Sequence, residues 1–354
     1  MNAEKSDETT AKPTINDIAR LSGVSKKTVS RVINRSPLLN EATRRRVDAV
    51  IQETGYIPNP QARALALRRN FLIALVHDNP NAQMVLGMQQ GILAMLADTE
   101  YELIVRPVNR GAPSMVADVR AFLERQRPHG LVLLPPISEK DELAALCASF
   151  GCRYVRMGSA ELDGPAHLVA SNDRDAVREA VAYLIGQGHR RIGFVQGPSG
   201  FRSAHERRLG YEEALAAAGL DPVAAWTREG DYRFDSGLAA GRAILSQDGR
   251  PTAIFASNDE MAAGVLHAAR ERGLDVPADL SILGFDDTAI AAHLWPPLTT
   301  IRWPIAAMAR AAAVKLLSSP DRVDADTAGD PASAGDISFF PSTLVHRASI
   351  APPR

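Results

Sequence analysis

Cysteine is nearly missing from this chain: 354 residues hold two thiols, Cys147 and Cys152. Neither has another cysteine or a histidine at ligand spacing, so a disulfide framework and a zinc site lack support, and both read as packing residues. Aromatic residues make up only 5%. No apolar run approaches the roughly 20 residues that a bilayer span needs. The opening MNAEKSDETTAKPT has no apolar core that could act as an export signal, so a cytoplasmic protein without membrane contact is expected. Catalytic signatures are missing as well. GPSGFR at 197–202 lacks the Gly-Lys-Ser/Thr ending of a phosphate loop. The eight histidines are scattered, no serine or cysteine sits in a nucleophile elbow, and Asp286 and Asp287, being adjacent, point to opposite sides rather than forming an acid-base dyad. Enzymatic activity, a metal and a cofactor are not expected.

What is there is an ordinary soluble composition, 45% hydrophobic and 23% charged, long enough for two or three packed units. The net charge of -1 hides an asymmetry. From Lys12 to Arg69 there are 12 Lys and Arg against 4 Asp and Glu, a net of +8, which leaves -9 for the remainder. A small basic module on an acidic body suits a nucleic-acid binder, because phosphate neutralisation supplies most sequence-independent affinity.

Residues 1–12 are polar and aperiodic and read as a disordered lead. Thr14 and Asp17 have capping-box spacing, and Ile15, Ile18 and Ala19 lay an apolar stripe on a short helix ending at Leu21. Gly23 turns the chain and Ser25 can cap a second helix, KKTVSRVIN, with Val29, Val32 and Ile33 facing inward. Asn40 caps a third, EATRRRVDAVIQET, closed by Gly55. Two short helices joined by a tight glycine turn make a helix-turn-helix over 13–58.

TINDIARLSGVSKKTVSRVIN, continued by GYIPN at 55–59, resembles the DNA-binding signature of the lactose/galactose-repressor family. The resemblance puts the start of the second helix in a DNA major groove, with Ser25, Lys26, Lys27 and Arg31 on base edges. Lysine donors suit the O6 and N7 acceptors of guanine, so G·C pairs are expected opposite Lys26 and Lys27. Thr14, Thr28, Ser30, Asn34, Asn40, Thr43 and Tyr56 match family positions that hold phosphates. Residues 59–70, with Asn59 as cap and Pro60 at the first helical position, form a hinge helix too short to be stable alone. The family's hinges enter the minor groove in pairs with a leucine wedge; Ala62 and Leu65 hold those places here.

From Phe71 the pattern changes to apolar runs alternating with amphipathic helices: FLIALV, YELIVRPV, GLVLLP and RYVRM, then RIGFVQG, TAIFASN and SILGFDD. Two doubly wound parallel-sheet lobes are expected, about 71–168 plus 303–335 and about 169–302 plus 336–354, together forming an effector-binding and dimerisation domain. Ligands of such sheets sit beyond the carboxyl ends of the strands, where Asn172, Asp173, Asn258, Asp286 and, one turn on, Arg207 fall. The resemblance runs on through GHRRIGFVQGP, SNDEMAAGVL, GFDDT, PPLTTIRW and FFPSTLVHR, and implies an α/β body like the periplasmic binding proteins in which Asp173, Arg207, Asn258 and Asp286 bind effector hydroxyls. Phe201, Tyr232, Phe234 and Trp303 could supply aromatic faces, and Asn81 and Gln83 could reach the ligand from the other lobe. Asp259, Asp287 and Arg208 read as caps or surface residues.

The resemblance implies a transcription regulator acting at the nucleoid: a repressor of carbohydrate genes, bound as a homodimer to an operator of two half-sites and controlled by a sugar-like effector. A dimer rather than a tetramer is expected, since the chain stops soon after FFPSTLVHR without a leucine heptad. Residues 319–336 read as a mobile surface insertion. Two other readings stay open: a purine-like corepressor in the same family, and a sugar-binding transport protein, against which the basic headpiece argues.

Overall fold

A computed structural model describes residues 12–34, 36, 38–58, 70–159, 161–318 and 338–354. The hinge segment with Ala62 and Leu65 and the expected insertion at 319–336 lie outside the described residues. The chain divides into two units, 1–70 and 71–354.

The first unit contains α1 (Ile15–Ser22), α2 (Lys26–Ile33) and α3 (Glu41–Thr54). Ile18, Val29 and Val47, one from each helix, are fully buried and close its core. The ends follow from the residues that occupy them. Asp17 accepts the Thr14 amide (3.0 Å) and hydroxyl (2.7 Å), completing the acidic half of the box. Gly23 adopts φ 65°, a left-handed conformation that costs a glycine little, and lets the chain reverse between α1 and α2. Ser25 accepts the Thr28 amide (3.1 Å) and Asn40 the Thr43 amide (2.8 Å).

The second unit holds two six-stranded sheets. The first runs β11 (Ser338–Phe340), β5 (Leu168–Ser171), β4 (Arg153–Gly158), β3 (Gly130–Leu133), β1 (Leu72–His77), β2 (Glu102–Pro107). The second runs β12 (Thr343–Val345), β10 (Thr299–Arg302), β9 (Ser281–Asp286), β8 (Ala253–Ala256), β6 (Ile192–Gln196), β7 (Thr227–Glu229). Helices α4 (Ala82–Leu96), α5 (Met115–Gln126), α6 (Asp141–Ser149) and α12 (Ile305–Leu317) belong to the first lobe. Helices α7 (Asp173–Gly186), α8 (Arg202–Ala217), α9 (Phe234–Leu245), α10 (Asp259–Glu271) and α11 (Ala289–His293) belong to the second. Strands β3, β5 and β8 are buried along their whole length, as parallel strands covered on both faces must be.

Two details differ from the sequence reading. β12 pairs antiparallel with β10, so the second sheet is mixed at its edge. β5 and β11 both belong to the first lobe's sheet, so the lobe boundaries fall a few residues later than 168/169 and 335/336. The chain therefore passes between lobes at 171–173, 302–305 and 340–343. Hydrogen bonds tie these crossings together: Trp303 Nε1 donates to Ser171 Oγ (2.8 Å), and the Ser342 amide donates to Asn172 Oδ1 (2.7 Å).

Candidate nucleic-acid interface and ligand cleft

In the first unit, α2 buries Val29 and Val32 and leaves Lys26, Lys27 and Arg31 exposed, along with Ser25 ahead of it. Helical periodicity produces this directly, because the two valines are three apart and the cations lie off that stripe. None of the three cations has an acidic partner among the described residues. Ser25 differs from them, since its hydroxyl also pairs with that of Thr28 (2.9 Å). Of the residues matched to phosphate contacts, Thr14 and Asn40 are exposed, while Thr28, Ser30, Asn34, Thr43 and Tyr56 are half-buried. Asn34 Nδ2 donates to Ser30 Oγ (3.3 Å). Burial pushes the Tyr56 phenol above its ordinary pKa.

In the second unit, a cavity of about 470 Å³ opens between the lobes at the carboxyl ends of both sheets. Eight residues singled out from the sequence line it: Asn81, Asp173, Phe201, Arg207, Tyr232, Asn258, Asp286 and Trp303. Gln83 and Phe234 do not. Gln83 is exposed on the first turn of α4, and its amide donates to Asn81 Oδ1 (3.0 Å). Phe234 opens α9 and packs edge-on against His267 of α10, with ring centroids 5.9 Å apart.

The centre of the second-lobe wall is an ion pair. Arg207 Nε donates to Asp173 Oδ2 (2.9 Å), with side chains 8% and 1% exposed. Its Nη1 donates to the Ser257 carbonyl (2.5 Å), and its guanidinium lies 3.6 Å above the Phe285 ring. Asp173 Oδ1 accepts from Ser171 Oγ (2.7 Å), which in turn accepts from Trp303. The site thus reaches the interlobe crossings through consecutive hydrogen bonds. Asn258 caps α10 through the Met261 amide (2.9 Å) and donates to the Tyr232 carbonyl (2.9 Å). Tyr232 and Asp286 hold φ 70° and φ 110°, conformations that side-chain-bearing residues rarely adopt and that collect at functional sites. Burial, reinforced by Asp259 and Asp173 and opposed by Arg207, pushes the Asp286 carboxyl well above its ordinary value. Burial likewise raises the Tyr232 phenol to about 12.

The first-lobe wall was largely missed from the sequence. His77 ends β1 and Asp78 and Asn79 follow it, Asn109 and Arg110 follow β2, and Ser159 follows β4. The same strand-exit rule that found Asp173 and Asn258 would have found them. Asn81 Nδ2 and Ser159 Oγ, and across the cleft Tyr232 Oη, are buried without a protein partner among the described residues.

Two residues set aside as caps or surface groups are neither. Asp259 is fully buried and accepts from the Thr288 amide (2.8 Å), the Thr288 hydroxyl (3.0 Å) and Thr300 Oγ1 (2.6 Å), and burial lifts its carboxyl to about 7. Asp287, 7% exposed, bridges Arg302 and Arg347 at 2.6 Å each. Arg208 is a surface residue paired with Glu212. Burial also raises the thiols of Cys147 and Cys152 to about 12, which leaves both protonated, as packing residues should be.

Comparison with known proteins follows the same division. Residues 14–59 match the model of bacterial regulatory proteins of the lacI family, and residues 181–350 match a periplasmic binding protein-like domain. The HTH-type transcriptional regulator CelR of Thermobifida fusca is 34% identical, the match covering 89% of this chain and 93% of that protein. The ribose operon repressor of Escherichia coli is 33% identical over 82% of this chain and 88% of its own length. Among solved structures, a CelR–cellobiose complex has a TM-score of 0.69 at 30% identity, covering 95% of this chain and 99% of that one. The lac repressor dimer bound to operator and the anti-inducer ONPF has a TM-score of 0.78 at 28% identity, covering 96% and 100%.

Proposed function

The chain belongs to the lacI family of bacterial regulatory proteins, and on that premise we propose a repressor of carbohydrate-utilisation genes whose operator affinity is set by a sugar bound in the cleft. The cleft itself is the observation that carries the effector half. It offers a buried guanidinium, carboxyls, amides and hydroxyls beside the rings of Phe201, Tyr232 and Trp303, and this mixture of hydrogen-bonding groups and apolar faces suits a polyhydroxylated ligand. Cellobiose in a relative of similar fold supports a sugar over a purine-like corepressor.

The protein works as a homodimer on an operator of two half-sites, in the cytoplasm at the nucleoid. Among the described residues no helix is long and apolar enough to cross a membrane. Ser25, Lys26, Lys27 and Arg31 read bases. Thr14, Thr28, Ser30, Asn34, Asn40, Thr43 and Tyr56 hold phosphates, and residues 59–70 carry Ala62 and the Leu65 wedge into the minor groove. Residues 71–354 bind effector and dimerise. Effector binding changes the arrangement of the lobes and through it the pairing of the two hinges; the coupling is reciprocal, so operator also changes effector affinity by the same factor.

A thermal-shift screen against mono- and disaccharides, their phosphates and purines tests the effector reading, because a ligand selective for the native state raises Tm. A sugar that shifts the wild type but not Asp286→Ala supports it. A response to purines alone would overturn it.

A further inference from the structure

α8, which carries Phe201, Ser203 and Arg207 into the cleft, begins without a cap of its own. Its N-cap position is Phe201, which offers no acceptor, and its first turn contains no acidic residue. The first N–H groups of a helix need partners from somewhere. Here they come from the opposite lobe. Glu139, at the end of the turn Ile137–Glu139 after β3, accepts the amides of Arg202 (2.8 Å) and Ser203 (3.2 Å) through its two carboxylate oxygens.

The turn that bears Glu139 is itself held in place. Arg156, 2% exposed, donates to the carbonyls of Ser138 (2.6 Å) and Leu162 (2.9 Å) and to Asp141 (2.8 Å). Two weaker contacts cross the mouth of the cleft beside it. Arg110 of the first lobe lies 3.9 Å over the Phe201 ring, and Asp141 faces Arg202 at 3.8 Å.

We propose that Glu139 is a positioning residue for the cleft: by capping, from the first lobe, the helix that presents Phe201, Ser203 and Arg207, it joins lobe closure to placement of the second-lobe groups. The inference rests on the cleft being the effector site, and it adds that the closed arrangement is favoured before any ligand arrives. Opening would withdraw the carboxylate and strand two amides at the positive end of a 16-residue helix. Loss of such a cap shifts the balance toward the open form by on the order of tenfold.

Hydrogen exchange read by mass spectrometry on the ligand-free full chain tests this. In Glu139→Ala the amides of Arg202 and Ser203 and those of residues 137–139 exchange about tenfold faster together, while β6 keeps its protection. Glu139→Gln, which retains a neutral acceptor, falls between the two. Adding Phe201→Asn to Glu139→Ala supplies a cap within α8 for the Ser203 amide, and so restores that amide without restoring residues 137–139. Unchanged exchange in Glu139→Ala, faster exchange spreading to β6, equal effects of Ala and Gln, or recovery of both segments by Phe201→Asn would each overturn the proposal. A failed sugar screen would instead remove the effector reading and leave the exchange result standing.

Discussion

On the second-lobe wall of the cleft Arg207, Asp173 and Asn258 already have protein partners and one buried group, Tyr232 Oη, has none among the described residues, whereas on the first-lobe wall two buried groups, Asn81 Nδ2 and Ser159 Oγ, have none among them. The engaged wall is fixed before a ligand arrives: Arg207 is clamped by Asp173, the Ser257 carbonyl and the Phe285 ring, and Asp286 and Tyr232 sit in unusual backbone conformations maintained by what surrounds them. The unengaged groups lie in residues that follow strand ends, where a ligand would supply the missing hydrogen bonds. On the proposed effector reading, one wall is the anchor and the other completes recognition. The headpiece repeats the contrast on a smaller scale. There the Ser25 hydroxyl is occupied as a cap, while Lys26, Lys27 and Arg31 are exposed and have no acidic partner among the described residues.

The largest expected effect comes from breaking the anchor. Arg207→Ala leaves Asp173 buried, charged and unpaired, which costs about 3 to 5 kcal/mol in comparable pairs. Denaturant unfolding should show a loss of that size together with loss of sugar binding. Arg207→Met combined with Asp173→Asn removes both charges, so most of the stability returns while binding does not. Equal destabilisation by the single and double variants would show that the ion pair is not what holds this wall.

Behind the same wall, Asp259 turns burial into pH dependence. Its carboxyl, lifted to about 7, holds a proton more tightly in the folded chain than in the unfolded one. Stability from this group is therefore complete at pH below about 4 and declines by about 1 kcal/mol per pH unit as pH rises toward 7. Asp286 is also raised and contributes with the same sign. Urea unfolding of wild type and Asp259→Asn at pH 5, 6 and 7 isolates the Asp259 part as a difference that shrinks with pH. A difference that stays constant would contradict it.

In the headpiece the contrast separates selectivity from stability. Lys27→Ala should relax the preference at one base pair, an effect of about 1 to 3 kcal/mol in operator competition binding. Ser25→Ala, which removes a base-reading hydroxyl that is also the cap of α2, should in addition lower headpiece stability by about 1 kcal/mol. A stability loss in Lys27→Ala and none in Ser25→Ala would exchange the roles of the two residues.

How far the sequence could be read follows the same division. The headpiece was legible to within a residue at each helix end because Thr14, Gly23, Ser25, Asn40 and Gly55 each carry a local physical signal. The engaged wall was legible because Asp173, Asn258 and Asp286 come at or one to two residues past apolar runs. Strand alternation alone does not tell which of two neighbouring acids faces the cleft; the family resemblance is what assigns Asp286, which lines it. Asp286 and Asp287 both have positive φ, so the simple alternation of a strand does not apply where the site is built, and their roles follow from tertiary partners such as Arg302 and Arg347. Glu139 escaped for a related reason, since its partners are backbone amides 63 and 64 residues away and leave no local trace.

The smallest expected effect asks most of the comparison, because it separates two functions of one side chain. Asn81 Oδ1 caps α4 through the amides of Gln83 (3.0 Å) and Met84 (3.3 Å), while its Nδ2 has no partner. Asn81→Asp keeps the acceptor, and places a negative charge at a helix N-terminus, where it is tolerated or mildly favourable. It removes only the idle donor. Stability should therefore stay within about 1 kcal/mol of wild type, while sugar affinity falls roughly fivefold to tenfold, the worth of one neutral hydrogen bond. Asn81→Ala should lose the same affinity and, in addition, about 1 kcal/mol of stability with the cap. If Asn81→Asp bound the sugar as tightly as wild type, Nδ2 would not be a ligand donor, and the unengaged character of the first-lobe wall would then rest on Ser159 alone.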